Sequence, residues 1–225
     1  NTLLAFEGAV KQGFRYLETD THCTLDGVLL AFHDDRLDRV TNGRGVIADL
    51  SYDSIRSVRV DGTEPIPRLD DLLTSFPDTR FNIDPKSDAS VAPLLRLIQD
   101  IGAEHRVCIG SFSDRRIRRV RQAVPRICTS MGPIETLRAR ITSLGIPTGS
   151  FEALAAQVPI RWNGIKIVDQ RFVDAIHSRG LQLHVWTVNE PTQMEELLDL
   201  GVDGTMTDQP AILKRVLISR QQWAD

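Results

Sequence analysis

The chain is poor in cysteine and in lysine. Its 225 residues include three cysteines, Cys23, Cys108 and Cys128, at wide spacings and without a CxxC pair. An odd number at such spacings predicts neither a disulfide framework nor a structural zinc site, and indicates reduced, mostly buried thiols. Four lysines stand against 23 arginines. Genome composition can produce that bias, so it indicates no function, but it makes a lysine inside a predicted strand worth locating.

Long apolar runs and a strong charge of one sign are absent too. No stretch approaches the roughly 18 apolar residues of a membrane span, and no basic segment followed by an apolar one opens the chain. The 27 basic and 30 acidic residues give a formal net charge of −3. This balance gives no support to a nucleic-acid binder. We therefore expect a cytoplasmic protein with no transmembrane segment and no nucleic-acid partner; the oligomeric state stays open.

A glycine-rich phosphate loop of the GxGxxG or Walker A kind is the third absence. Such a loop usually follows the first strand of an open doubly wound sheet, so its absence disfavours that fold. Amphipathic helices that end at a glycine instead alternate with short apolar strands, which predicts βα units and a parallel sheet. We predict core strands at Arg15–Asp20, Arg80–Lys86, Arg106–Ser111, Arg126–Ser130, Gly164–Val168, Gln182–Val188 and Gly204–Thr207, and an additional strand at Val28–Phe32.

The number of strands favours a barrel. Seven βα units of about 31 residues account for roughly 217 residues, close to the whole chain. The chain opens directly in a helix at Asn1-Thr2. We therefore expect a TIM (β/α)₈ barrel of the α/β class whose first strand lies upstream of Asn1. No linker or low-complexity tract interrupts the chain, so residues 1–225 are expected to form a single, N-terminally incomplete barrel domain.

Two acidic side chains share one face of the first predicted strand. Glu18 and Asp20 stand two residues apart, and the two-residue period of a strand points both carboxylates the same way. Near the carboxyl end of a barrel strand, that face is the mouth of the active site. A divalent cation would relieve their repulsion, and oxygen ligands favour Mg²⁺ or Ca²⁺. The alternative is a solvated strand end with two exposed acids.

A third acid, Asp84, ends the next core strand, and Lys86 follows at the same parity. Asp84 and Lys86 form a simple ion pair in one interpretation. In the other, Asp84 is a metal ligand and Lys86 holds an anionic oxygen of a substrate.

The dipeptide His33-Asp34 follows the additional strand on a loop that should return over the same mouth. A structural histidine is the alternative to a functional one. Trp186, at the carboxyl end of a predicted strand, fits either the core or the wall of a substrate pocket.

Motifs spread along the whole chain carry a family resemblance. They are Glu18-x-Asp20-x₃-Thr24-x-Asp26-Gly27-x₅-His33-Asp34, Ile66-Pro67-x-Leu69, Asn82-Ile83-Asp84-x-Lys86, Trp186-Thr187-Val188-Asn189 and Gly201-Val202-Asp203-Gly204-x₂-Thr207-Asp208-x-Pro210. In this order they strongly resemble the glycerophosphodiester phosphodiesterase family, whose members are TIM barrels.

The resemblance implies a role for each candidate residue. Glu18, Asp20 and Asp84 would hold a divalent cation, Mg²⁺ or Ca²⁺, and His33 would be one of two catalytic histidines. Lys86 would bind the phosphodiester and Trp186 would line the pocket. The second catalytic histidine belongs to a His-Arg-Gly motif that is expected upstream of Asn1. Asp84 departs from the glutamate of many members and matches the related sphingomyelinase D branch, which leaves the substrate open.

The implied reaction is metal-dependent hydrolysis of a small-molecule glycerophosphodiester to glycerol 3-phosphate and an alcohol. It would begin with attack on phosphorus by the substrate's own glycerol hydroxyl. Phospholipase D-like action on lysophospholipids or sphingolipids is one alternative, and a catalytically silent binding barrel is another.

Overall fold

The computed structural model describes residues 1–223, which divide into two compact units. Unit 1 comprises Asn1–Ser111 and Arg115–Cys128, and unit 2 comprises Phe112–Asp114 and the residues from Thr129 onward. The expected single domain stays a prediction. In the described part of the chain, no helix is long and apolar enough to cross a membrane.

Helices and strands alternate through most of both units. The helices are α1 (Leu3–Lys11), α2 (Tyr52–Ile55), α3 (Leu69–Ser75), α4 (Asp88–Ile101), α5 (Asp114–Ala123), α6 (Pro133–Ser143), α7 (Gln170–His177), α8 (Pro191–Asp199) and α9 (Pro210–Ser219). The strands are β1 (Tyr16–Cys23), β2 (Leu29–Ala31), β3 (Arg59–Val60), β4 (Glu64–Pro65), β5 (Arg80–Pro85), β6 (Val107–Ile109), β7 (Cys128–Thr129), β8 (Ala155–Pro159), β9 (Arg161–Trp162), β10 (Ile165–Lys166), β11 (Gln182–Trp186) and β12 (Gly204–Thr205).

Unit 1 is built on a five-stranded sheet in the order β2-β1-β5-β6-β7. Strand β5 pairs in parallel with both β1 and β6, so the carboxyl ends of these three strands lie at one edge. Strand β2 pairs antiparallel with the last three residues of β1. This pairing explains why β1 continues to Cys23, beyond the predicted end at Asp20. It also brings the segment after β2 back to the sheet edge where the carboxyl ends of β1, β5 and β6 lie.

The core of unit 1 lies between this sheet and its helices. Phe81 and Ile83 of β5 pack with Leu94 and Ile98 of α4 in one fully buried cluster. Helix α4 begins where the Ser87 hydroxyl accepts from the Ser90 amide at 3.2 Å. A second cluster, which includes Leu30, Leu37, Ile47 and Ile66, anchors the long segment between β2 and α3. That segment carries His33.

Unit 2 contains a three-stranded parallel sheet in the order β12-β11-β8. At the start of α7, Asp169 accepts the Phe172 amide at 2.9 Å. The same carboxylate receives two hydrogen bonds, at 2.9 and 2.8 Å, from Arg140 of α6. These bonds tie the two helices together beside the sheet.

The predicted strand at Gly164–Val168 was wrong. The partner of β11 is β8 at Ala155–Pro159, whose two alanines and terminal proline give little intrinsic strand preference. Residues 165–168 are Ile-Lys-Ile-Val and have the stronger preference, but they contribute only β10 of a short hairpin. Asn163 and Gly164 both adopt positive φ in its turn, as a tight hairpin requires.

Candidate active site

The carboxyl ends of β1 and β5 bring two of the predicted acids together. Asp20 of β1 lies directly opposite Asp84 of β5 in the parallel register, and Glu18 lies opposite Asn82. The side chains of Asp20 and Asp84 are 9% and 10% exposed. The sheet therefore holds two nearly buried carboxylates side by side on adjacent strands.

Lys86 bridges these two carboxylates. Its ammonium Nζ lies 2.6 Å from Oδ1 of Asp20 and 3.0 Å from Oδ2 of Asp84. Burial lowers the pKa of Lys86, but attraction by Asp84 and Asp20 outweighs burial and raises that pKa above its ordinary value. Burial also raises the pKa of Asp84, and Lys86 opposes this rise. The contact is the ion pair of the first interpretation, and a substrate contact of Lys86 stays a prediction.

Glu18 adds a third carboxylate to the same electrostatic environment. Loss of solvation among the surrounding protein atoms is the largest cause, and repulsion from Asp20 the second, of a rise in the pKa of Glu18 to about 8. Asp84 adds to this rise, and Lys86 opposes it. The residue nevertheless remains exposed, so solvent access moderates the shift without reversing it. The site therefore favours a proton or a cation on its carboxylates at neutral pH.

The carboxylate cluster meets part of what a divalent cation needs. Among the described residues, no group of three or more His, Cys, Asp or Glu side chains has the geometry to hold a metal ion. The lysine ammonium instead lies between two of the predicted ligands. Within residues 1–223, however, Oδ1 of Asp84 is the buried side-chain oxygen that has no hydrogen-bond partner. An orphaned carboxylate oxygen beside two more carboxylates is chemically suited to a hard cation.

His33 lies on the segment that leaves β2. The amide of the preceding residue, Phe32, donates to the Asp20 carbonyl at 3.0 Å, which ties this segment to the end of β1. His33 and Lys86 both line a depression of about 540 Å³, whose wall continues through residues 34–36, 38 and 39. The predicted histidine and lysine therefore face one shared space in unit 1.

A chain of polar contacts surrounds the imidazole of His33. Its Nδ1 lies 2.7 Å from Oδ1 of Asp34. Arg39 donates to both oxygens of that carboxylate, at 2.6 and 2.8 Å. The hydrogen bonds from Arg39 hold the pKa of Asp34 well below its usual range. Asp34 belonged to a sequence motif without an assigned role, and Arg39 was missed, since an arginine five residues away in an irregular segment has no periodicity to mark it.

His22 contacts the main chain of His33. It is buried near the end of β1, and its Nε2 donates to the His33 carbonyl oxygen at 3.1 Å. Burial lowers the pKa of His22 and favours the neutral ring. The sequence patterns do not single out His22, since its contact with the His33 main chain depends on the three-dimensional path of the chain.

Trp186 lies in unit 2, at the carboxyl end of β11. Its half-buried ring meets the ring of Phe112 edge to face, with 5.4 Å between the ring centroids. Phe112 in turn stacks on Trp162 of the hairpin at 6.2 Å. Phe112 and Trp162 are 55% and 52% exposed. The predicted pocket residue therefore belongs to an aromatic cluster with a large accessible surface.

Comparisons with known proteins point in one direction. The model of the glycerophosphoryl diester phosphodiesterase family matches residues 1–212. A probable glycerophosphodiester phosphodiesterase 2 of Mycobacterium tuberculosis is 37% identical over 229 residues, which cover 99% of this chain and 87% of that protein.

Solved structures agree with this result. A putative glycerophosphoryl diester phosphodiesterase from Silicibacter pomeroyi superimposes with a TM-score of 0.83 at 23% identity, covering 100% of this chain and 90% of the other. An Oleispira antarctica phosphodiesterase, solved with the product sn-glycerol-3-phosphate, gives 0.80 at 19% identity, covering 97% and 91%.

These structural neighbours establish the fold class, and the α/β fold of the TIM-barrel type expected from the sequence is confirmed. The family match and the mycobacterial relative then establish the lineage. The chain belongs to the glycerophosphoryl diester phosphodiesterase family, and the expected enzyme class, a phosphodiesterase, is confirmed.

Proposed function

We propose that this enzyme hydrolyses glycerophosphodiesters to glycerol 3-phosphate and an alcohol, with a divalent cation held by Glu18, Asp20 and Asp84. The observation that carries the proposal is the cluster at the ends of β1 and β5, where Lys86 bridges Asp20 and Asp84 and Glu18 shares their electrostatic environment. His33 lines the same depression as Lys86. The product complex of the Oleispira relative supports this choice of substrate.

Each side chain has a defined task in this proposal. His33 exchanges a proton with the substrate at Nε2, because its Nδ1 is held by Asp34. Lys86 holds the carboxylates of Asp20 and Asp84 in place through its two ion pairs, and it presents positive charge to a phosphate oxygen in the depression. A substrate contact of Trp186, which lies in unit 2, stays a prediction from the family resemblance.

Mg²⁺ and Ca²⁺ are the cations that an all-carboxylate set favours. When bound, either ion would neutralise non-bridging phosphate oxygens and lower the pKa of the attacking hydroxyl. The exposed side chain of Glu18 gives such an ion access to the set.

The direct test is a substrate comparison. Purified enzyme should release glycerol 3-phosphate from glycerophosphocholine, EDTA should stop the reaction, and Mg²⁺ or Ca²⁺ should restore it. Calorimetry should show that Glu18→Gln loses most of the cation affinity, with Glu7→Gln on α1 as the control. Unchanged affinity in Glu18→Gln would contradict the cation site.

The same assay separates the two alternatives. Faster release of choline from lysophosphatidylcholine than from glycerophosphocholine would favour phospholipase D-like action. Binding of glycerol 3-phosphate without turnover of either substrate would favour the silent barrel. A cytoplasmic location stays a prediction, which fractionation of cells that express the full-length protein would test.

A further inference from the structure

We propose that Asp34 and Arg39 are positioning residues for His33, which fix its imidazole so that Nε2 is the nitrogen that exchanges protons with the substrate. This inference rests on the proposed function of His33. It assigns a role in the reaction to two residues, Asp34 and Arg39, that line the depression.

The first argument is geometric. Arg39 grips the Asp34 carboxylate through Nε at 2.6 Å and Nη2 at 2.8 Å, which is the planar two-bond arrangement that restricts a carboxylate most strongly. The oxygen that accepts from Nη2 also accepts from Nδ1–H of His33 at 2.7 Å. The orientation of the imidazole is therefore set by a carboxylate that is itself held.

The second argument concerns exposure. The side chain of His33 is 65% exposed, whereas that of Asp34 is 17% exposed. An exposed imidazole without a partner samples several rotamers, and each additional rotamer reduces the time spent in a reactive orientation. A well-shielded carboxylate next to an exposed ring provides the fixed point that the ring itself lacks.

The main chain of His33 is fixed as well. His22 donates to the His33 carbonyl, and the Phe32 amide donates to the Asp20 carbonyl. The residue is therefore anchored to β1 on both sides of its Cα. Rotation of the imidazole about its side-chain torsions is the remaining freedom, and the Asp34–Arg39 pair restricts that rotation.

The chemistry follows from the contact on Nδ1. Because Asp34 accepts from Nδ1–H, the lone pair of the neutral ring lies on Nε2. When His33 takes a proton, the substrate O–H bond breaks, a new Nε2–H bond forms, and the Nδ1 proton stays in place. The carboxylate of Asp34 then faces an imidazolium and stabilises it, as in other carboxylate–histidine pairs.

A kinetic experiment tests the proposal with glycerophosphocholine as substrate. Asp34→Asn keeps the side-chain shape but removes the negative charge and replaces one of the two acceptor oxygens by an NH₂ donor, so the two-bond contact with Arg39 is lost. It should lower kcat about 10- to 100-fold and leave KM within about two-fold, a loss smaller than the 10²–10⁴-fold of a missing acid–base group. Arg39→Lys keeps the positive charge but cannot make both hydrogen bonds to Asp34, so its kcat should fall less than that of Asp34→Asn. In a His33→Ala background, Asp34→Asn should have no further effect on kcat.

The control is Asp70→Asn, which breaks an arginine–aspartate fork of the same kind with Arg68 of unit 1. It should leave kcat unchanged. An equal loss in Asp70→Asn, a loss expressed only in KM, or a loss that persists without His33 would overturn the proposal. If wild type is active and His33→Ala is as active as wild type, the proposed function of His33 fails instead.

A spectroscopic measurement does not depend on turnover. Nitrogen-15 NMR of the histidine side chains, assigned with His33→Ala, should show neutral His33 protonated at Nδ1 in the wild type. Asp34→Asn should shift the ring away from this form, and Asp70→Asn should not. A wild-type ring protonated at Nε2, or a ring indifferent to Asp34→Asn, would refute the positioning role even in an inactive protein.

Discussion

Replacing Glu18 by glutamine should stabilise the cation-free protein at neutral pH. The folded protein raises the pKa of this carboxyl from its ordinary value of 4.5 to about 8. Between those two values the folded state holds a proton that the unfolded chain has lost, so the unfolding free energy falls as the pH rises from about 4.5 to about 8. The uncharged amide of Glu18→Gln removes this dependence.

The magnitude follows from the same shift. At about 1.4 kcal/mol for each pH unit, full burial would make the penalty at pH 7 about 3 kcal/mol. Water reaches the exposed Glu18 side chain and screens its repulsion from Asp20 and Asp84, so we expect about 1 kcal/mol. Urea unfolding of wild type and Glu18→Gln in EDTA should show this gain at pH 7 and almost none at pH 4.5.

Addition of the cation should make the wild type more stable than Glu18→Gln. Mg²⁺ or Ca²⁺ should stabilise the wild type by binding only the folded state, and it should stabilise Glu18→Gln much less. Glu7→Gln, at a half-exposed position of α1 that pairs with Lys11, controls for loss of a negative charge and should show neither the gain at pH 7 nor the loss of cation stabilisation. A Glu18→Gln protein that is less stable than wild type at pH 7 in EDTA would refute the reasoning.

Three further predictions concern the same unit. His33→Ala should reduce turnover about 10²–10⁴-fold and change the unfolding free energy by less than about 0.5 kcal/mol, because the side chain is exposed; early melting with full specific activity would assign it a structural role. Lys86→Met leaves Asp20 and Asp84 without their ammonium and should cost about 2–4 kcal/mol in urea unfolding at pH 7, and less at pH 5; an equal cost at both would contradict the ion-pair explanation. Arg106→Met removes three hydrogen bonds to buried carbonyls and should cost about 2–4 kcal/mol, whereas a cost below about 0.5 kcal/mol would mean that water replaces them.

The succession of strands and helices along the chain could be predicted because it depends on local sequence patterns. The strand around Phe81 and Ile83 alternates apolar and polar residues, and the structure has β5 there. Strand β8 could not be found in this way, since Ala155–Pro159 becomes a strand through its ladder with β11. A strand that owes its conformation to a distant partner carries little information in its own residues.

In the candidate site, too, the contacts between regular strands could be predicted and those of an irregular segment could not. Asp20 and Asp84 were predictable as neighbours because strand period and the alignment of parallel strand ends bring them together. The contacts of Asp34, Arg39 and His22 with His33 depend on the path of an irregular segment, for which no period exists. The ion pair of Lys86 with Asp84 was one of the two interpretations of the sequence, whereas its contact with Asp20 depends on the pairing of β1 with β5.

The charge of the carboxylate cluster leads to a last prediction, that the cation must bind before the substrate. Glu18, Asp20 and Asp84 with Lys86 carry a formal charge of −2 when all four are ionised, and a phosphodiester carries −1. Without a cation, burial and then repulsion within the cluster raise the pKa values of Glu18 and Asp84. A phosphate brought to this cluster meets the same repulsion, because the side chains of Asp20 and Asp84 are nearly buried and are screened little by water.

A bound divalent ion cancels the charge of −2 and leaves Lys86 able to attract the phosphate. Calorimetry should therefore detect binding of glycerol 3-phosphate in Mg²⁺ or Ca²⁺, with an affinity at least about 10-fold weaker in EDTA, equivalent to about 1.4 kcal/mol. The apparent KM for glycerophosphocholine should fall as the cation concentration rises. Above about pH 8, where Glu18 is ionised, Glu18→Gln lowers the formal charge from −2 to −1, so the EDTA affinity for glycerol 3-phosphate should there be less weakened than in wild type. Equal affinity of the wild type in EDTA and in cation would show that the carboxylates do not repel the substrate and would remove the electrostatic reason for the ordered binding.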